Sequence, residues 1–99
     1  MKRNTQSIEI IRQKTVETEE AKYTYTLEVM EIKRHFVRKP PVYSVRIEME
    51  SRDGGYTSAE SGYIFFDFGK AIVFYERLAE HLCTPLNLPY VLEDSITVG

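Results

Sequence analysis

The stretch FDFGKAIVFYERLAEHLC, residues 66–83, decides how this chain folds. Asp67 reads as a helix N-cap, because its carboxylate can accept a hydrogen bond from a backbone N–H that the first turn leaves unpaired. Phe66 and Ala71 stand where a hydrophobic staple would join the residue before the cap to the second turn. At about 100° per residue, Ala71, Ile72, Tyr75, Leu78, Ala79, Leu82 and Cys83 fall on one apolar arc, with Glu76, Arg77, Glu80 and His81 opposite. Such a helix needs an apolar surface to lie on.

The chain before it supplies that surface. Residues 7–12 begin as a strand with Ile8 and Ile10 on one face, whereas residues 15–20 are polar, hold three Glu and read as a solvated connection. Residues 23–29 alternate most clearly, with Tyr23, Tyr25, Leu27 and Val29 pointing one way. The apolar parity then switches to Met30 and Ile32. A β-bulge near Val29 and Met30 would produce that switch, and coverage of both faces is the alternative. Pro40 and Pro41 cannot donate ladder hydrogen bonds, so pairing stops there. It resumes over residues 42–50, with Tyr43, Val45, Ile47 and Met49 inward and Ser44, Arg46, Glu48 and Glu50 outward.

Asp53-Gly54-Gly55 marks a hairpin whose register can be tested against the pattern. A three-residue loop pairs Arg52 with Tyr56 and sets Met49 opposite Ala59, Ile47 opposite Ser61, Val45 opposite Tyr63 and Tyr43 opposite Phe65. A two-residue loop would bury Glu60. The three-residue loop, a type I turn with a left-handed Gly, is therefore expected. Small Ala59 and Ser61 would let the 67–83 helix lie close, over Tyr43, Val45, Ile47, Met49 and Tyr63. Beyond Cys83, Thr84-Pro85 ends that helix or begins a short turn with Pro at its first position. Leu88, Val91, Leu92 and Ile96 then follow helical spacing, so a short helix is expected over 89–95 with Glu93 and Asp94 in water.

The fold expected is α+β, one domain over residues 1–99 with 1–6 disordered. An antiparallel meander of about four strands would carry the amphipathic helix and the short C-terminal helix on one face.

The tail strengthens this reading by resemblance. Pro85, Leu88, Val91, Glu93 and Asp94 stand as in a Pro-x-x-Leu-x-x-Val-x-Glu-Asp-like motif. It resembles the ending of a family of small proteins of unknown function from anaerobic Gram-positive bacteria. Tyr43-Ser44-Val45 is similar to that family's Tyr-Gly-Ile-like strand motif, with Ser in place of Gly. The resemblance covers about residues 23–96 and implies the same strands-then-helix architecture, with no activity attached.

Composition narrows the function classes. No apolar run is long enough for a membrane span, and the basic start Met1-Lys2-Arg3 has no apolar region behind it. A single Cys cannot form an internal disulfide, which favours the cytoplasm. The net charge of −2 divides unevenly: residues 1–49 hold ten Lys/Arg against seven acids, and residues 50–99 three against eight. That asymmetry suits oriented or head-to-tail contacts.

No enzyme is legible. His35 and His81, the two histidines, lack a metal-ligand spacing. Cys83 sits at a helix C-terminus with His81 on roughly the opposite side, away from the helix N-terminus that would favour a thiolate. Glu93 and Asp94 diverge around a helix, so they do not converge as an acid–base pair. No cofactor or metal is expected. The basic stretch Lys33, Arg34, His35, Phe36, Arg38 and Lys39 offers cations for phosphates and a ring for stacking, partly compensated by Glu28, Glu31 and Glu48. The leading expectation is a small non-enzymatic protein-interaction module, a cytoplasmic homodimer. Its contacts would run through Val42, Ile64 and Phe66 on the sheet's second face, or through Val73 and Phe74 on the helix, where both side chains are expected to be exposed. Nucleic-acid binding through residues 33–39 is the alternative, and a small enzyme comes third.

Overall fold

The hairpin shows best how local chemistry sets this structure, a computed structural model that describes residues 5–34 and 37–98. Ser51 N–H donates to the Gly55 carbonyl (2.8 Å) and Gly54 N–H to the Ser51 carbonyl (3.0 Å). Gly54 holds φ at 98°. The loop is thus three residues with a left-handed Gly, but it comprises Arg52, Asp53 and Gly54. Ser51 selects it, since the Gly55 N–H also donates to the Ser51 hydroxyl (3.0 Å) and to Asp53 Oδ1 (3.2 Å). The register therefore moves by two from the expected one: Ile47 faces Ala59, Met49 faces Thr57 and Glu50 faces Tyr56. A shift of two keeps every side chain on its expected face.

The strands are β1 (Thr5–Glu17), β2 (Ala21–Arg34), β3 (Val37–Arg38), β4 (Val42–Ser51) and β5 (Tyr56–Glu60), followed by helices α1 (Phe68–Glu80) and α2 (Leu88–Val98). All pairs are antiparallel in the order β1-β2-β4-β5, with the short β3 folded back on β2. This is the α+β meander with two helices that the alternation and the helical stripe predict.

β1 runs further than expected. Residues 15–17 are strand: Val16 packs against the core while Thr15 and Glu17 are exposed, as an edge strand with one face in water allows. Thr18 then closes the turn, its hydroxyl accepting from the backbone N–H groups of Glu20 (3.2 Å) and Ala21 (3.1 Å). Thr5 and Gln6, expected to be disordered, belong to β1, and residues 1–4 lie outside the described residues.

The bulge is in β1 rather than at Val29 and Met30. Ile10 pairs with Glu28 and Arg12 with Leu27, leaving Ile11 as the extra residue, while β2 pairs with β4 without interruption from Ala21–Ser51 to Met30–Val42. Uninterrupted pairing from Arg12 would have put Ile8 and Ile10 on the helix side. The bulge turns both to the opposite face and leaves Ile11 packed against the core.

Tyr25, Leu27, Tyr43, Val45 and Ile47 form the sheet's half of the core, and Ala71, Phe74, Tyr75, Leu78 and Ala79 the helix's half. α1 rests chiefly on β2 and β4, the central strands, rather than over Ala59 and Ser61 of the outer hairpin. Leu78 is fully buried. Burial of such a side chain is worth about 1.5–3 kcal/mol.

Asp67 caps α1 as predicted, Oδ2 accepting from the Lys70 N–H at 3.0 Å. The staple does not form, since Phe66 is 74% exposed. At the other end, Leu82 N–H donates to the Ala79 carbonyl (3.3 Å) and Cys83 N–H to the Leu78 carbonyl (3.0 Å). This is a Schellman closure with Leu82, at φ 50°, in the left-handed position usually held by Gly. The chain leaves the helix there, so Leu82 is 40% exposed instead of completing the apolar arc. α2 extends beyond the expected 89–95 and seats Leu88 in the core.

Candidate functional site

Three surfaces hold the residues that chemistry singles out. The first lies beside α1. Phe65 reaches it through a break in the β4–β5 ladder. Ser61 N–H donates to the Val45 carbonyl (2.9 Å) and Tyr43 N–H to the Phe65 carbonyl (2.8 Å), so residues 62–64 stand opposite Ser44 alone. Gly62, at φ 79°, permits that excursion. Tyr63 leaves the Val45 position expected for it, and Phe65 lands on Phe74 with ring centroids 5.2 Å apart. Phe74 is consequently 4% exposed, against the expectation of an exposed edge residue, while Val73 is 55% exposed. Phe65, Asp67, Gly69, Lys70, Val73, Phe74 and Arg77 enclose a groove of about 420 Å³ with an apolar floor and cations on its rim.

The second surface is the sheet face away from the helices. Val42, half-buried, pairs there with Met30 beside Ile8 and Ile10. Ile64 and Phe66 flank Phe65 and are exposed, whereas Val73 stands on α1, on the helix side of the sheet. The five candidate contact residues do not form one patch. The middle of this face is polar: Arg46 Nη1 meets Glu28 Oε1 at 3.0 Å, and its Nε lies 3.6 Å from Glu48 Oε1. Tyr56 OH donates to Glu48 Oε2 (2.8 Å), and Gln13 Nε2 to the buried Thr26 hydroxyl (3.2 Å). Glu28 and Glu48 thus pair with Arg46. Burial and then the nearby Glu28 carboxylate push the Tyr63 phenol up.

The third surface is the basic stretch. Lys33 and Arg34 end β2 and Arg38 ends β3; Lys33 pairs with Arg38, and Arg34 with Val37. Lys39 is exposed. His35 and Phe36 lie outside the described residues.

Cys83 is buried, and burial pushes its thiol up, which opposes thiolate formation. Its carbonyl accepts from Tyr25 OH at 2.9 Å, and Tyr75 OH donates to the Tyr25 carbonyl at 3.3 Å. These tyrosines tie α1 and its exit to β2. His81 is exposed at the C-cap of α1. Among the described residues no three His, Cys, Asp or Glu come together to hold a metal, and no helix is long and apolar enough to cross a membrane.

Sequence reasoning missed two features. The exposure of Ile8 and Ile10 follows from the bulge position, which no single-strand pattern reveals. The rim of Lys70 and Arg77 was legible in their seven-residue spacing, which stacks both with Val73 and Phe74 on one stripe of a helix.

The fold and these surfaces define a small α+β domain, an antiparallel meander lidded on one face by helices and left open on the other. The chain belongs to a family of unknown function, DUF6514, whose family model matches residues 5–98. The expected membership of a family of unknown function holds at that level. No curated protein and no solved structure matches the chain.

Proposed function

We propose that this protein is a non-enzymatic interaction module that self-associates into a cytoplasmic homodimer through the β1 edge. One observation carries the reading: β1 is a 13-residue edge strand whose Ile8 and Ile10 are 51% and 54% exposed. An edge presents unpaired N–H and C=O groups, and long apolar edges are normally blunted or covered. Over residues 5–11 the only charge is Glu9. Antiparallel pairing of two β1 strands would satisfy both edges and join their Ile8 and Ile10 rows, with Met30 and Val42 alongside. Sedimentation at micromolar concentration tests it. A dimer is expected, and Ile8→Lys/Ile10→Lys should yield a folded monomer. An unchanged mass in that variant would overturn the reading.

A second reading has its own observation. The β2–β3 register pairs Lys33 with Arg38, and like charges at directly opposed positions of a ladder disfavour it, a cost that a bound anion would relieve. Nucleic acid is the corresponding partner. Replacing Lys33, Arg34, Arg38 and Lys39 by Ala should then flatten the salt dependence of oligonucleotide binding.

A further inference from the structure

The groove beside α1 stands out by its charge. Residues 50–99 hold three cations against eight acids, and two of those three, Lys70 and Arg77, line it. Neither forms an ion pair among the described residues. Asp67, the acid on the same wall, uses Oδ2 to cap the helix. Two unpaired cations therefore flank an apolar floor of Phe65, Val73 and Phe74.

α2 and the turn before it carry the opposite character. Leu86 and Tyr90 are 76% and 72% exposed, and Glu93 and Asp94 are exposed beside them. Tyr90, Glu93 and Asp94, at i, i+3 and i+4, share one helix face, while Leu88, Val91 and Leu92 face the core. The chain thus displays an aromatic with two carboxylates on α2 and an apolar groove with two cations on α1.

We propose that the α1 groove takes the outer face of α2 from a second copy of this chain. Tyr90 would enter against Val73 and Phe74, with Glu93 and Asp94 facing Lys70 and Arg77. This is helix-in-groove recognition with charge complementarity setting its direction. It rests on the reading that copies associate, and adds a contact distinct from the β1 edge. Because the two patches differ, the contact is heterologous and joins β1-paired dimers into larger species.

Charge exchange tests it, because all four residues are exposed and their replacement should leave the fold intact. Wild type should sediment beyond a dimer as concentration rises. Lys70→Glu/Arg77→Glu, and separately Glu93→Lys/Asp94→Lys, should stop at the dimer, with the larger species weakened by on the order of tenfold. The variant carrying all four changes should recover it. A wild type that never exceeds the dimer, a pair variant indistinguishable from wild type, or no recovery in the fourfold variant would overturn the proposal and leave the β1 dimer standing. A monomeric wild type would overturn both.

Discussion

Leu82 occupies a backbone position that costs an L-residue about 1–2 kcal/mol. The Schellman closure holds it there, at φ 50°, because Cys83 must return to the core with its carbonyl under Tyr25 OH. Leu82→Gly should therefore leave the fold more stable than Leu82→Ala does by about 0.5–1 kcal/mol, since both lose the Leu side chain and only Gly relieves the strain, less its greater freedom in the unfolded chain. Leu82→Ala, which keeps the strain and loses apolar area, should not stabilise it. Urea midpoints of the two variants check this. Titration gives a second prediction. Burial pushes up Tyr25, Tyr75 and the Cys83 thiol, with the Cys83 and Tyr23 charges adding to the shift at Tyr25. The folded state then keeps protons that the unfolded chain releases, so the contribution of these groups is complete below about pH 8.5 and is lost as pH rises above the unfolded values of about 8.5–10. A stability profile flat to pH 11 would contradict this. Tyr25→Phe should shallow the alkaline fall while losing about 1 kcal/mol at neutral pH with its hydrogen bond to Cys83.

Among the elements, α1 does most to close the core. Leu78→Ala should cost about 2–5 kcal/mol in urea unfolding, because the side chain is fully buried between β2 and β4. A near-neutral result would mean that another residue fills its place. Much of this element was legible: Asp67 as a cap, the Ala71/Tyr75/Leu78/Ala79 stripe and the exposure of Val73 all follow from helical spacing. Phe74 was not, because it is covered by Phe65 from an irregular segment whose path depends on Gly62. The hairpin's loop length was legible but its register was not. Gly54 and Gly55 serve equally as a left-handed residue, and a shift of two leaves the inward row unchanged, so the hydrophobic pattern cannot separate them. The Ser51 hydroxyl does. The bulge escaped for a related reason: a parity switch fixes an insertion only relative to a partner strand, and that partner turned out to carry it.

At the scale of the whole molecule, charge is distributed by surface more than by sequence. The acidic second half concentrates its cations at the α1 groove, while Arg46 on β4 is held between Glu28 and Glu48. The family match over residues 5–98 spans all five strands and both helices, so the candidate surfaces all lie within it. The order of those elements has a consequence during synthesis. The strands come first, and the helix that covers them comes last. Hairpins form in about 1–10 μs, yet at about 5–20 residues per second the ribosome needs about 1–5 s to pass from Ala59 to Cys83. For that interval the nascent chain carries a paired sheet whose Tyr25, Leu27, Val45 and Ile47 have no cover. A chain stopped after residue 66 should accordingly bind a hydrophobic dye and a chaperone, whereas one extended through residue 98 should bind neither. Equal binding by both would show that the sheet waits for its helix before pairing.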